Sequence, residues 1–350
     1  MNDFAARLIA WQARHGRHDL PWQQDRDAYR IWLSEIMLQQ TQVGTVIPYY
    51  LRFLERFPSI AALGAAPEHD VLSAWSGLGY YARARNLHKA AKVVMSRHGG
   101  VFPRHSAEIG ELPGIGRSTA AAIAAFAFGE RAAILDGNVK RVFARCFGVA
   151  GFPGEKAVEL RLWALAEKLL PHEGVAGYIQ GLMDMGATLC SRGKPACNRC
   201  PMADICVANL ENRVSELPSP RPKKAVPQRH TRLLVLMESG RVLLEKRPPT
   251  GIWGGLMSLP ALPDDCADPV AWAADHLGCE VGGLQALTPF QHGFTHFRLE
   301  IMPLLGEVQR HLPVAHQDNL TWLGPEDLPA APLPAPIRKI LAALLAPHLL

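Results

Sequence analysis

Cys190, Cys197, Cys200 and Cys206 fall within one stretch, CSRGKPACNRCPMADIC, with six, two and five residues between them. Thiols this close can pair as disulfides, ligate a zinc ion or cage an iron–sulfur cluster. Zinc sites usually present two close C-x2-4-C knuckles, and only Cys197 and Cys200 form one. A cubane cluster needs four thiolates converging from one compact loop, which this spacing permits. On spacing alone zinc stays open as an alternative. Cys146, Cys266 and Cys279 lack neighbouring cysteines and read as core or surface thiols.

The loop between Cys190 and Cys197 carries Arg192 and Lys194, and the next carries Arg199. A loop tethered at both ends presents such cations at fixed positions, which suits phosphate; a solvated loop is the plainer alternative. A second phosphate-directed pattern is EIGELPGIGRSTAAAIAAF, residues 108–126. A short apolar helix is expected to stop at Pro113, Gly114 and Gly116 flank Ile115, and an Ala-rich helix is expected from about Ser118. Glycines let the backbone turn tightly and approach a ligand. Amides at a helix start face outward at the favourable end of its dipole. The hairpin therefore reads as a sequence-independent phosphate clamp rather than a mere connector.

These features must be positioned by a chain of 350 residues, enough for about two domains. From Asp3 to about Asn209 apolar residues recur at three- and four-residue steps, as in Ile31, Ser34, Glu35 and Leu38, with turns marked by glycine and proline. Composition shifts in NRVSELPSPRPKKAVPQR, residues 212–229, whose prolines and basic residues read as an extended linker. Beyond it, 231–247 reads as two strands joined at 238–240, 268–278 as a helix and 294–308 as another strand pair. The expected fold class is an all-α N-terminal unit, 1–211, followed by a smaller α+β domain, 230–350.

The N-terminus lacks the apolar core and cleavage site of a signal peptide, and the longest apolar run, 120–128, is too short to span a bilayer. A soluble, intracellular (cytoplasmic) protein with no membrane partner is expected, in a reducing compartment that disfavours structural disulfides. The net charge of +5 is compatible with a nucleic-acid partner and equally with solvated charge.

The LPGIGR hairpin, then LDGNVKRV at 135–142, then the C-x6-C-x2-C-x5-C loop together resemble the helix-hairpin-helix DNA glycosylases that carry an iron–sulfur cluster. The resemblance implies one 4Fe-4S cluster on Cys190, Cys197, Cys200 and Cys206, holding the basic loop against DNA. It also implies a six-helix barrel over about 27–135 and a cluster domain built from 1–26 and 136–211. Within that superfamily the endonuclease III branch uses a lysine just after the hairpin. Ser118 occupies that place here, so no primary amine is there to form a Schiff base. The adenine glycosylase (MutY-type) branch carries a glutamate in an early helix. YRIWLSEIMLQQTQV, residues 29–43, is similar to that helix, with Glu35 as the acid; LPWQ at 20–23 and GLGYYARARNL at 77–87 also resemble this branch.

The chemistry agrees. Adenine is a poor leaving group as an anion, so a proton on a ring nitrogen helps the glycosidic bond to break. Trp32, Ile36, Met37 and Leu38 flank Glu35 and would desolvate it, raising its pKa. The oxocarbenium-like sugar left behind needs a fixed carboxylate, and Asp136 is the candidate. Alone, it would read as an N-cap, a role that can coexist. By resemblance Asn138 orients the water. Lys140, one turn beyond Asp136, reads as electrostatic support. Also by resemblance, Trp22, Leu38 and Gln180 line an adenine pocket, and Gln40 and Tyr80 wedge into the base stack as the base is extruded. Gln180 carries both a donor and an acceptor, as reading an adenine edge requires. The expected DNA contacts are Gln40, Tyr80, Gly114, Gly116, Ser118, Lys140, Arg192 and Lys194.

LLEKRPPTGIWGGLMSLP followed by DPVAWAADHLG resembles a Nudix-type domain. A hydrolytic one needs glutamates on that helix for magnesium; this one offers Asp268 and Asp275, so binding is expected rather than metal catalysis. In adenine glycosylases the domain recognises oxidised guanine through a Phe-Ser-His loop. Phe294, Thr295 and His296 match with one change, which keeps the hydroxyl and adds a methyl. The reading is a monomeric, monofunctional glycosylase acting on duplex DNA with adenine opposite 8-oxoguanine or guanine. The alternatives are an endonuclease III-like glycosylase/lyase, a non-catalytic lesion-binding protein and a nucleotide pyrophosphohydrolase.

Overall fold

The computed structural model of the chain describes residues 2–222, 226–294, 296–313 and 319–345. They form two compact units, Met1–Ala65 with Asn86–Lys223, and Ala66–Arg85 with Lys224–Leu350.

The first unit is helical. Asp27 starts the Ala28–Leu38 helix by accepting from Arg30 N at 2.9 Å, a cap worth about 1 kcal/mol. Tyr29, Ile31, Trp32, Leu33, Ile36 and Met37 are all buried, so this helix is apolar nearly all round and runs through the interior. It packs on the Arg117–Phe128 helix, whose Ala120, Ala121, Ala122, Ala124 and Ala125 are buried; small side chains let the two backbones approach. The pair carries Glu35 inward on a rigid element. A second core gathers the helices Asn2–His15, Gly137–Cys146, Lys156–Leu169 and Val175–Thr188 around Phe4, Leu8, Phe143, Leu162, Ile179 and Leu182. Gly186 is required there: a Cβ on it would stand 2.5 Å from Asn138 Cβ and 3.2 Å from Asn138 Cα.

The hairpin departs from expectation at its first helix, while its second begins where expected. Its first helix, Ser106–Ile109, stops before Pro113, and the Arg117–Phe128 helix starts one residue before Ser118, with Gly116 as its N-cap. Gly114 holds φ +79°, and a Cβ there would lie 2.6 Å from Asn86 Cβ, so only glycine fits. Gly116 has an ordinary φ of −88°, with open space around its Cβ position. The stretch 212–229 is partly built into structure. Leu217 is buried in the helical core and its carbonyl accepts from Arg145 Nε at 2.8 Å, while Gln228 already begins a strand.

The second unit is an eight-stranded mixed sheet among the described residues. Gln228–Glu238 turns into Arg241–Lys246 through Ser239 and Gly240, both at positive φ, the backbone a two-residue hairpin needs. Gln228–Glu238 also runs parallel to Arg298–His311. That long strand replaces the expected strand pair over 294–308; its hairpin partner, Phe290–Gly293, lies just before it. The helix Pro269–Leu277, capped by Asp268 and closed by Gly278, covers a core with Leu234, Leu236 and Leu304, and the helix Ala335–Leu345 covers another with Leu233, Val235 and Ile301. The segment Ala66–Arg85 is bound into this unit: Arg85 Nη1 donates to Gly254 O at 2.6 Å, Tyr81 OH to Leu333 O at 3.2 Å and Arg338 Nη2 to Ser76 Oγ at 2.9 Å. Among the described residues no helix is long and apolar enough to cross a membrane.

Candidate active site

A cavity of about 300 Å³ opens in the first unit, lined by Trp22, Ile31, Glu35, Leu38, Phe126 and Gln180 among others. Trp22 is fixed by the Pro21–Gln23 turn and meets Tyr50 edge-on, ring centres 5.4 Å apart. Glu35 is half-buried and lines the cavity. Burial, with a smaller push from the negative charge of Asp136, raises its pKa to about 8. The structure thus brings Glu35 together with all three residues expected at an adenine pocket, although they come from three separate elements.

Asp136 caps the Gly137–Cys146 helix, Oδ1 accepting from Val139 N at 2.7 Å, so the cap and the proximity to Glu35 coexist. Burial moves its pKa above the usual carboxylate value; the N–H groups of Val139 and Asn138 and the charge of Arg141 pull the other way. Ser118, expected among the DNA contacts, has a local role: its Oγ accepts from Leu135 N at 2.9 Å and tethers the residue before Asp136. Lys140 is ion-paired with Glu159. Gln40 is exposed and lies just beyond the helix end at φ +57°, and Tyr80, 49% exposed, sits at φ +51°. Positive φ is uncommon for such residues and projects each side chain from a tight turn. Trp75 Nε1 and Arg83 Nη2 both donate to Gly79 O, at 3.1 and 3.2 Å, bracing the turn before Tyr80.

Arg141 escaped the sequence reading. Its Nη2 donates to Asn138 Oδ1 at 2.8 Å and to Gly186 O at 2.7 Å, and its Nε donates to Cys190 O at 2.7 Å. One guanidinium fork therefore holds Asn138 to the start of the cysteine loop. Its spacing of three from Asn138 was a usable signal, since i and i+3 share a helix face.

Cys190, Cys197, Cys200 and Cys206 line one shared cavity, with Arg145 and Cys146 beside them, and none forms a disulfide. Among the described residues no three His, Cys, Asp or Glu side chains converge as they would on a single ion. Four thiols around a common space are a donor set that an iron–sulfur cluster can use. Arg145 Nη1 lies 3.4 Å from Cys190 Sγ, a cation suited to a thiolate. Burial raises the pKa of Cys200 to about 11, a cost that bound iron would offset. Arg192, Lys194 and Arg199 of the same loop are exposed.

In the second unit Phe294 stacks on Phe297, ring centres 4.5 Å apart, and meets His292 edge-on at 4.8 Å, with Trp253 at 6.2 Å. His296 is exposed, and Thr295 lies outside the described residues.

Residues 33–168 match the HhH-GPD superfamily of base excision DNA repair proteins, and residues 232–343 match the NUDIX domain. The chain is 36% identical over 342 residues to the adenine DNA glycosylase of Buchnera aphidicola subsp. Baizongia pistaciae, covering 97% of this chain and 96% of that one. It is 40% identical over 214 residues to the human adenine DNA glycosylase, covering 59% of this chain and 39% of that one. Among solved structures, a thermostable thymine-DNA glycosylase superposes with a TM-score of 0.55 at 33% identity, covering 59% of this chain and 95% of that one.

Proposed function

The chain belongs to the adenine DNA glycosylases, enzymes of base excision repair that cleave an N-glycosyl bond, and on that premise we infer how its residues divide the work. The cavity beside Glu35 takes an adenine extruded from duplex DNA in which it stands opposite 8-oxoguanine or guanine. Glu35 gives its proton to a ring nitrogen of the base as the glycosidic bond lengthens. Asp136, held by its capping N–H groups, steadies the cationic sugar, and Asn138, oriented by Arg141, positions the water that adds to it. Nothing covalent to an amine is needed, since Ser118 stands where a lyase would carry lysine. The observation that carries this reading is Glu35, pushed up to about 8, lining one cavity with Trp22, Leu38 and Gln180.

Around the reaction, the Gly114–Gly116 turn and the exposed Arg192 and Lys194 grip phosphates, while Gln40 and Tyr80 fill the gap left by the base. Cys190, Cys197, Cys200 and Cys206 hold a 4Fe-4S cluster, whose contribution is architectural and keeps the basic loop in shape. Phe294 and His296, with Thr295, read the oxidised guanine. The protein acts as a monomer. Asp268 is occupied by the amides of Val270 and Ala271, which argues against a magnesium-dependent pyrophosphohydrolase.

The test is base release from duplexes with adenine opposite 8-oxoguanine or guanine, run beside duplexes with oxidised pyrimidines. Release of adenine only is expected. Binding without release would favour a lesion-binding protein, and strand cleavage at pyrimidines would favour the endonuclease III-like alternative.

A further inference from the structure

We propose that Asp184, with Arg17, is a positioning residue that makes the cavity selective for a 6-amino purine by dictating which atom of the Gln180 amide faces the base. This rests on reading the cavity as the adenine site. Asp184 is 1% exposed and lies one turn beyond Gln180 on the Val175–Thr188 helix. Its Oδ1 accepts from Gln180 Nε2 at 2.8 Å and from Arg17 Nε at 2.7 Å, and its Oδ2 accepts from the Arg17 backbone N–H at 2.9 Å. Arg17 Nη2 stands 2.7 Å from the same Oδ1.

A carboxylate paired with a guanidinium offers acceptors only. Gln180 must therefore turn its amino group toward Asp184. The inverted amide would set oxygen against oxygen in a buried site, where the low local dielectric penalises the clash. The carbonyl oxygen of Gln180 is the atom left for the cavity that the side chain lines. A fixed acceptor there welcomes an exocyclic amine, as on C6 of adenine, and repels the 6-oxo group of guanine or hypoxanthine.

The same carboxylate anchors a second wall. Arg17 O accepts from Gln23 Nε2 at 3.0 Å, and Gln23 Oε1 accepts from Leu20 N at 3.2 Å. These bonds hold the Pro21–Gln23 turn that carries Trp22. An aspartate inside a helix is locally unfavourable, so its burial here is bought by these long-range partners.

The experiment is single-turnover base release from duplexes carrying adenine or hypoxanthine opposite the same partner base. Wild type is expected to prefer adenine by about 100-fold or more, as a site built around a hydrogen bond rejects an analogue that cannot make it. Asp184→Asn can present an NH2 group to Gln180 and let the amide pair invert; its preference should fall about tenfold or more. Asp184→Glu keeps an acceptor and should hold the preference within about threefold. A preference unchanged in Asp184→Asn, or both rates lowered by one common factor, overturns the proposal. Gln180→Met tests the reader itself and should also lose the preference; if it does not, the proposal falls even where Asp184→Asn cannot be folded. No release of adenine by the cluster-loaded wild type would instead overturn the reading of the cavity on which the proposal rests.

Discussion

The carboxyl of Glu35 lies within the electric field of Asp136, and that charge adds to burial in holding the Glu35 proton. The two groups differ in what reaches them: Asp136 receives Val139 N at 2.7 Å and feels the charge of Arg141, while Glu35 borders the cavity. An acid and a carboxylate are thereby set apart by environment rather than by residue type.

Release of adenine should follow a bell-shaped pH profile. Glu35 is protonated below about 8, so the rate falls as pH rises through that value. Asp136 is raised from 3.8 by burial, so the acid limb lies above that pH, where Asp136 gains a proton. Glu35→Gln should lower the rate by about 10²–10⁴ and abolish the alkaline limb. An alkaline limb that survives in Glu35→Gln would assign the proton to another group.

Asp136→Asn should keep DNA affinity while slowing base release by about 10²–10³. The readouts are a gel-shift titration and a single-turnover rate on the same duplex. Loss of both together would mean that the helix cap, rather than the charge, is what the substitution removes.

Gly186→Ala is expected to destabilise the first unit by about 1–3 kcal/mol, because the new methyl meets the Asn138 backbone at 3.2 Å. Thermal melting measures the loss. Base release should slow too, as the helix bearing Asp136 and Asn138 is displaced. An unchanged melting temperature would show that the two helices can separate freely.

Lys194→Ala should weaken DNA binding and flatten its salt dependence by about one phosphate's worth of counterion release. Binding constants across a salt series decide it. An unaltered slope would remove Lys194 from the phosphate contacts.

Purified protein should be yellow-brown and carry about four irons per chain. Metal analysis with an absorption spectrum checks this. A colourless, zinc-loaded preparation that releases adenine would overturn the cluster. Replacing Cys197 with serine should lower iron content and loosen the loop from Cys190 to Cys206.

What the sequence determined alone was whatever a few neighbouring residues can decide. The spacing of the four cysteines, the serine where a lyase needs lysine, the cap at Asp136 and the turn at 238–240 all act within about one or two turns of chain. The apolar residues around Glu35 likewise announced its desolvation. Contacts between distant segments were another matter. Arg17 and Asp184 are 167 residues apart, and only folding could show that one orients Gln180 while bound to the other. Arg141 drew no notice in the sequence, because its partners Cys190 O and Gly186 O come from segments 49 and 45 residues away. Ser118 Oγ accepts from Leu135 N, a partner 17 residues away that local spacing does not reveal. Gln40 reads as part of a helix until the chain leaves it at a left-handed residue. The reason is common to Asp184, Arg141 and Ser118: a polar side chain satisfies whichever partner the packed core brings within about 3 Å, and that choice belongs to the tertiary structure.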